Sequence, residues 1–236
     1  MKTFVALAAV LTFACVQTLQ AAFIVEPVPG GKALANYSWI GGAGGAARVN
    51  TTLGGTAPGL SGTGSHAWGG TVAPHVYQFS YTPGPDVDNT VYTPGLLLGD
   101  NYTVPNYATG LTGGGSGIYN VYATWVVSAN IGSPTTVANA NFLVSSDGPL
   151  LTPPTVNQNT GMSGGPGGNA GWFYLGTVGL TAGNTYTVVL DPIVDNYVSV
   201  RMAGVMWEMV PEPSTLALAM VGGLLLFGGI ARRRNR

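Results

Sequence analysis

The sequence predicts an all-β protein, an antiparallel β-sandwich of jelly-roll type, flanked by an N-terminal signal helix and one C-terminal transmembrane helix. Three observations predict it. Apolar residues of the central region alternate with a period of two, clusters of Gly, Pro and Asn interrupt them at short intervals, and long uncharged apolar runs occur at the two ends. Period two is the repeat of a strand with one buried face, and Gly, Pro and Asn are the residues that turns require.

The strands follow in order. In "VYQFSY", Tyr77, Phe79 and Tyr81 alternate with Gln78 and Ser80. In "YNVYATW", Tyr119, Val121, Ala123 and Trp125 share one face, and Asn120, Tyr122 and Thr124 share the other. In "TYTVVL", Tyr186, Val188 and Leu190 alternate with Thr185 and Thr187. The intervening "TPGPDVDNT", "TGGGSG", "SSDGP", "MSGGPGGNAG" and "TAGN" read as turns and loops. No amphipathic helical pattern runs through this body, so many short strands with glycine-rich connections point to a sandwich.

The 236 residues hold one domain of ordinary size with terminal extras. Charged residues make up 7% of the chain, where about 25% is usual for soluble domains. Between Phe23 and Val210, Lys32, Arg48 and Arg201 face eight acidic residues, a net of −5. Three scattered cations on an acidic body exclude a nucleic-acid-binding role.

Residues 1–22 have a Lys2-bearing start, an apolar run from Phe4 to Val16 and small residues at Ala21 and Ala22, the layout of a cleaved secretory signal. Cys15 is the only cysteine, so a body running from 23 to 210 holds no disulfide and no thiol chemistry. At the other end, 18 uncharged residues from Ser214 to Ala231 precede Arg232, Arg233, Arg234 and Arg236. A helix of that length measures about 27 Å, enough to span a bilayer core, and the arginines hold its end in the cytoplasm. Pro211 and Pro213 separate this segment from the body.

Pro211, Glu212 and Pro213, the apolar span and the arginine cluster together resemble the PEP-CTERM sorting signal, over residues 211–236. Such signals occur on exported proteins of Gram-negative bacteria, typically ones that make exopolysaccharide. The resemblance implies an exosortase as partner, a membrane-embedded transpeptidase-like protease that cuts near the motif. It also implies transient anchoring in the membrane, then release to the cell surface or beyond.

Residues 117–208 resemble a second family, the golvesin/xanthan-lyase carbohydrate-binding-like domain, a β-sandwich module of secreted bacterial proteins. "YNVYATW", "NANFLVSSDG", "GWFYLGTVGLTAGNTYTVVL" and "VSVRMAGVMWE" carry the likeness, most specifically Trp172 to Gly183. Ala203 stands where that family commonly has an Asp, so any role of that carboxylate does not transfer. The resemblance implies a fold and no site.

Catalytic constellations are scarce. His66 and His75 lie nine residues apart in Gly/Pro-rich surroundings, outside any metal-ligand spacing. Asp86 with Asp88 and Asp191 with Asp195 sit in turns, where Asp serves the local backbone. No catalytic residue and no cofactor is expected. No metal site is expected; Asp86, Asp88 and Asn89 are a weak calcium candidate that lacks the twelve-residue EF-hand pattern, and a solvated turn is the ordinary use of those residues.

For sugar contact, aromatic faces stack on pyranose rings and neighbouring polar groups take the hydroxyls. Trp125, Trp172 and Trp207 lie in strand patterns and read as core. Trp39 and Trp68 border Gly-rich loops, with Tyr102 and Tyr107 in another, and these four are the candidate sugar contacts. The function expected is an exported, exosortase-sorted, non-catalytic surface or matrix protein touching exopolysaccharide. A dedicated carbohydrate-binding module is the first alternative, and a secreted glycan-active enzyme the last.

Overall fold

The computed structural model describes residues 20–28, 30–40, 48–50, 57, 59–60, 65–68, 76–85, 87–92, 114–125, 139–158, 171–192 and 199–210. The expected leader up to residue 19, the C-terminal span 214–231, the sorting motif, the arginine cluster, Tyr102, Tyr107, Asp86 and His75 lie outside them. Among the described residues no helix is long and apolar enough to cross a membrane.

Thirteen strands and one 3-10 turn, Leu34–Asn36, make up the described elements. The first sheet joins β10 (Phe173–Leu180), β7 (Gly117–Thr124), β13 (Gly204–Met209), β1 (Gln20–Val25) and β6 (Thr90–Tyr92), in that order. The second joins β2 (Tyr37–Ile40), β5 (Val76–Tyr81), β11 (Tyr186–Pro192), β8 (Asn139–Val144) and β9 (Val156–Asn157). A small third sheet joins β12 (Ser199–Met202), β4 (Ser65–Trp68) and β3 (Arg48–Asn50). Every described pairing is antiparallel.

The two five-stranded sheets close one core. From the first come Phe23, Val25, Tyr119, Val121 and Trp207, and from the second Tyr77, Phe79, Tyr81, Phe142, Val188 and Leu190. The period-two reading of β5, β7 and β11 holds, and Trp125, Trp172 and Trp207 are buried as expected. Tyr81 is the hinge of the packing. Its ring stacks on Phe23 at 4.7 Å and meets Trp207 at 5.5 Å and Tyr119 edge-on at 5.8 Å. At the other end Trp125 packs against Phe142 and Phe173, and its indole N–H donates to the Gln158 carbonyl at 3.1 Å. Such aromatic pairs add about 0.5–1.5 kcal/mol each beyond the area they bury.

Strand β10 is not regular. Leu175 and Gly176 together oppose Val121, a bulge between the pairs Tyr174–Tyr122 and Thr177–Asn120. Gly176 adopts φ of 149°, and a side chain there would collide with Leu151. Only glycine fits both conditions.

The N-terminal strand begins before the expected end of the leader. Gln20, Ala21 and Ala22, expected at the end of the leader, pair with Tyr92, Val91 and Thr90 of β6, and Ala22 is fully buried. Phe23 to Val25 continue along β13. A chain starting at Gln20 is therefore expected to be more stable than one starting at Phe23 by about 1–3 kcal/mol, from the lost backbone pairs and the buried methyl. Urea unfolding of the two chains measures the difference, and equal midpoints would show that the strand is complete without those residues.

Candidate functional site

Three groups of polar side chains are buried or ordered well enough to matter. The first straps the segment after β1. The Lys32 ammonium donates to the Gly59 carbonyl at 2.5 Å and the Thr90 hydroxyl at 2.8 Å, while the Lys32 amide donates to Glu26 Oε2 at 2.6 Å. Burial lowers the Lys32 pKa to about 8, against the opposing pull of the Glu26 carboxylate. These bonds tie the segment after β1 to Gly59 and to Thr90 of β6, and the group braces that edge.

The second lies behind Tyr81. Its hydroxyl donates to Asp88 Oδ1 at 3.0 Å, and burial in the aromatic core lifts the Asp88 pKa to about 6. The same burial raises the Tyr81 and Tyr119 phenols above their ordinary value. Neighbouring Asn89 uses both ends of its amide on Ile24, accepting from the backbone N–H at 2.9 Å and donating to the carbonyl at 2.8 Å. Asp88 and Asn89, read as possible calcium ligands, thus have partners inside the fold. Among the described residues no group of three or more His, Cys, Asp or Glu is placed to hold a metal.

The third covers part of the outer face of the first sheet. The bulge in β10 puts Tyr174 and Thr177, three residues apart, on the same side. There they meet Tyr122 and Asn120 of β7, which are two apart. Two cross-strand rows result. One runs Tyr174, Tyr122, Met206, Ile24, and the other Thr177, Asn120, Glu208, Ala22.

Hydrogen bonds tie the rows together. The Thr177 hydroxyl donates to Asn120 Oδ1 at 2.7 Å and lies 2.6 Å from the Tyr174 hydroxyl, so Tyr174 is the donor of that pair. Tyr122 bonds to both Glu208 and Asn120. Burial, then the bond to the Glu208 carboxylate, raises the Tyr122 phenol well above its ordinary value, so it stays protonated and donates to Glu208. The rings of Tyr122 and Tyr174 lie 5.6 Å apart at 58°, and Tyr174 is 51% exposed.

None of the four residues predicted for sugar contact is among those described on this face. Trp39 belongs to edge strand β2 and is half-buried against the core. Trp68 lies in β4, paired with Ser199. Tyr102 and Tyr107 fall outside the described residues. Tyr174 and Thr177 escape a period-two reading because their odd spacing assigns them to opposite faces. Gly176 between them was the available sign of a bulge.

Residues 210–235 match the family model of the PEP-CTERM protein-sorting motif, and this motif marks the chain as an exported, exosortase-sorted protein. No curated protein matches the chain. Among solved structures it is similar to a Paenibacillus xanthan lyase determined at 2.6 Å resolution, with 20% identity and a TM-score of 0.48. That match covers 81% of this chain, which spans 13% of the lyase chain.

The buried Asp88 makes stability depend on pH. Its folded pKa, about 6, stands above the ordinary 3.8, so the folded state holds the proton more tightly. The contribution is complete below pH 4 and disappears as pH rises through 6, a loss on the order of 2 kcal/mol. Urea midpoints are expected to fall between pH 4 and 7 in the native sequence and to fall less in Asp88→Asn. Identical slopes in the two proteins would remove Asp88 as the cause.

Proposed function

We propose that this protein is exported through the inner membrane and held there briefly by its C-terminal segment. An exosortase then processes it, and it remains at the cell surface or in the extracellular matrix as a non-catalytic component that contacts exopolysaccharide. The sorting motif at residues 210–235 is the observation that carries this reading. In the ordinary division of labour for such a tail, Pro211, Glu212 and Pro213 are the recognition element, the span 214–231 holds the substrate at the protease, and Arg232, Arg233, Arg234 and Arg236 fix the orientation.

The body is read as a carrier domain, a golvesin-like sandwich on the sequence pattern of residues 117–208. Its scarcity of charge suits contact with hydrated, uncharged chains. A dedicated carbohydrate-binding module is the second reading, and the ordered tyrosine pair on the outer face of the first sheet favours it.

Intact mass of the protein recovered from envelope and medium of its native host tests the sorting step. The expected species lacks the N-terminal leader and everything beyond the Pro-Glu-Pro region, and Glu212→Ala accumulates unprocessed in the membrane. A native chain still ending in Arg236 at the cell surface would overturn the reading and make the tail a permanent anchor.

A further inference from the structure

We propose that the Tyr174–Tyr122 face is a binding site for a pyranose unit of a neutral polysaccharide. This rests on the reading of the protein as an envelope component in contact with polysaccharide, and it names the site and the ligand class.

The first argument is the ring. Tyr174 is half-exposed on a sheet face, where an aromatic side chain gains little from burial and keeps its freedom to rotate. Here it is held. Its hydroxyl donates to Thr177, which donates to Asn120, while Tyr122 bonds to Asn120 and Glu208. A ring fixed before the ligand arrives loses little entropy on binding, and the exposed half of Tyr174 offers apolar surface to the C–H side of a sugar.

The second argument is the bulge. A regular β10 would turn either Tyr174 or Thr177 into the core. Leu175 and Gly176 shift the register by one, so the aromatic row and the polar row lie side by side. The φ of 149° requires the glycine, and a side chain there would also press on the end of Leu151. Stacking surface and hydroxyl partners are thereby adjacent, the combination that sugar recognition needs.

The third argument is the boundary. Further along the same sheet face Ala57 and Leu60 close over Ala22, Ile24, Trp172 and Met206, and Tyr122 packs at the margin of that cluster. The exposed patch therefore has a wall on one side. Glu208, buried beside Tyr122 at the edge of the patch, and the net charge of −5 over residues 23–210 disfavour anionic polymers and leave neutral glycans as the class accommodated.

Affinity electrophoresis of the full chain in mild detergent tests the proposal, with gels cast in hydroxyethylcellulose, galactomannan, dextran or the anionic polymer alginate. Retardation is expected in at least one neutral gel and not in alginate. Tyr174→Ala is expected to weaken it about tenfold. Tyr122→Phe and Thr177→Val, which keep the rings but cut the relay, are expected to weaken it about threefold. Leu34→Ala, at an exposed position of the 3-10 turn beside the second sheet, is expected to change nothing.

Melting curves accompany each variant, so a loss of binding at an unchanged midpoint is read as loss of the site. No retardation in any neutral gel, retardation confined to alginate, or retardation untouched by all three face variants would overturn the proposal. None of these outcomes bears on C-terminal processing, which intact mass reads independently.

Discussion

The contact on which the rest depends is the aromatic junction around Tyr81. Phe23, Tyr119 and Trp207 come from three strands of one sheet, and Tyr81 from an interior strand of the other, so this cluster fixes how the two sheets face each other. The body has no cysteine to supply a covalent tie. Ring packing and burial must do that work, and the phenol of Tyr81 needs a partner because an unpaired hydroxyl in such a core is costly. Asp88 is that partner, held in place by the turn whose next residue, Asn89, clamps the backbone of Ile24. The junction thereby links both sheets and the edge where β6 meets β1.

The outer face of the first sheet is the counterpart of this core. On the inner side β7 presents Tyr119, Val121 and Ala123, all fully buried, and on the outer side Asn120 and Tyr122. The same strand therefore secures the packing and carries the polar relay. An interior clamped at Tyr119 and Trp207 keeps β7 and β13 in register, and register places Glu208, Asn120 and Thr177 in one row. Precision on the surface is inherited from rigidity beneath it.

Much of the architecture is legible in the chain. Alternation in "VYQFSY" and "TYTVVL" identifies β5 and β11, and the "SSDGP" and "TAGN" clusters mark turns. That those two turns meet is not legible. Asp147 accepts hydrogen bonds from Tyr186 and, at 3.0 Å, from Thr181, contacts made across 39 and 34 residues of sequence. The leader boundary is not legible either, for a related reason. Small residues at Ala21 and Ala22 satisfy a signal-peptide pattern and also suit a crowded central strand, and local composition does not separate the two uses.

The sequence by itself determines the class and the destination. A period of two, the absence of cysteine from the body and the Pro-Glu-Pro tail are local properties, readable without knowing what touches what. Only the tertiary structure decides which aromatics are free. Trp39, beside its glycines, packs partly against the core, while Tyr174, inside a strand, is half-exposed to solvent. The physical reason is the bulge at Leu175 and Gly176. One extra residue reverses every later side chain of β10, and whether a glycine hosts such a bulge depends on the strand beside it and on Leu151 beneath it.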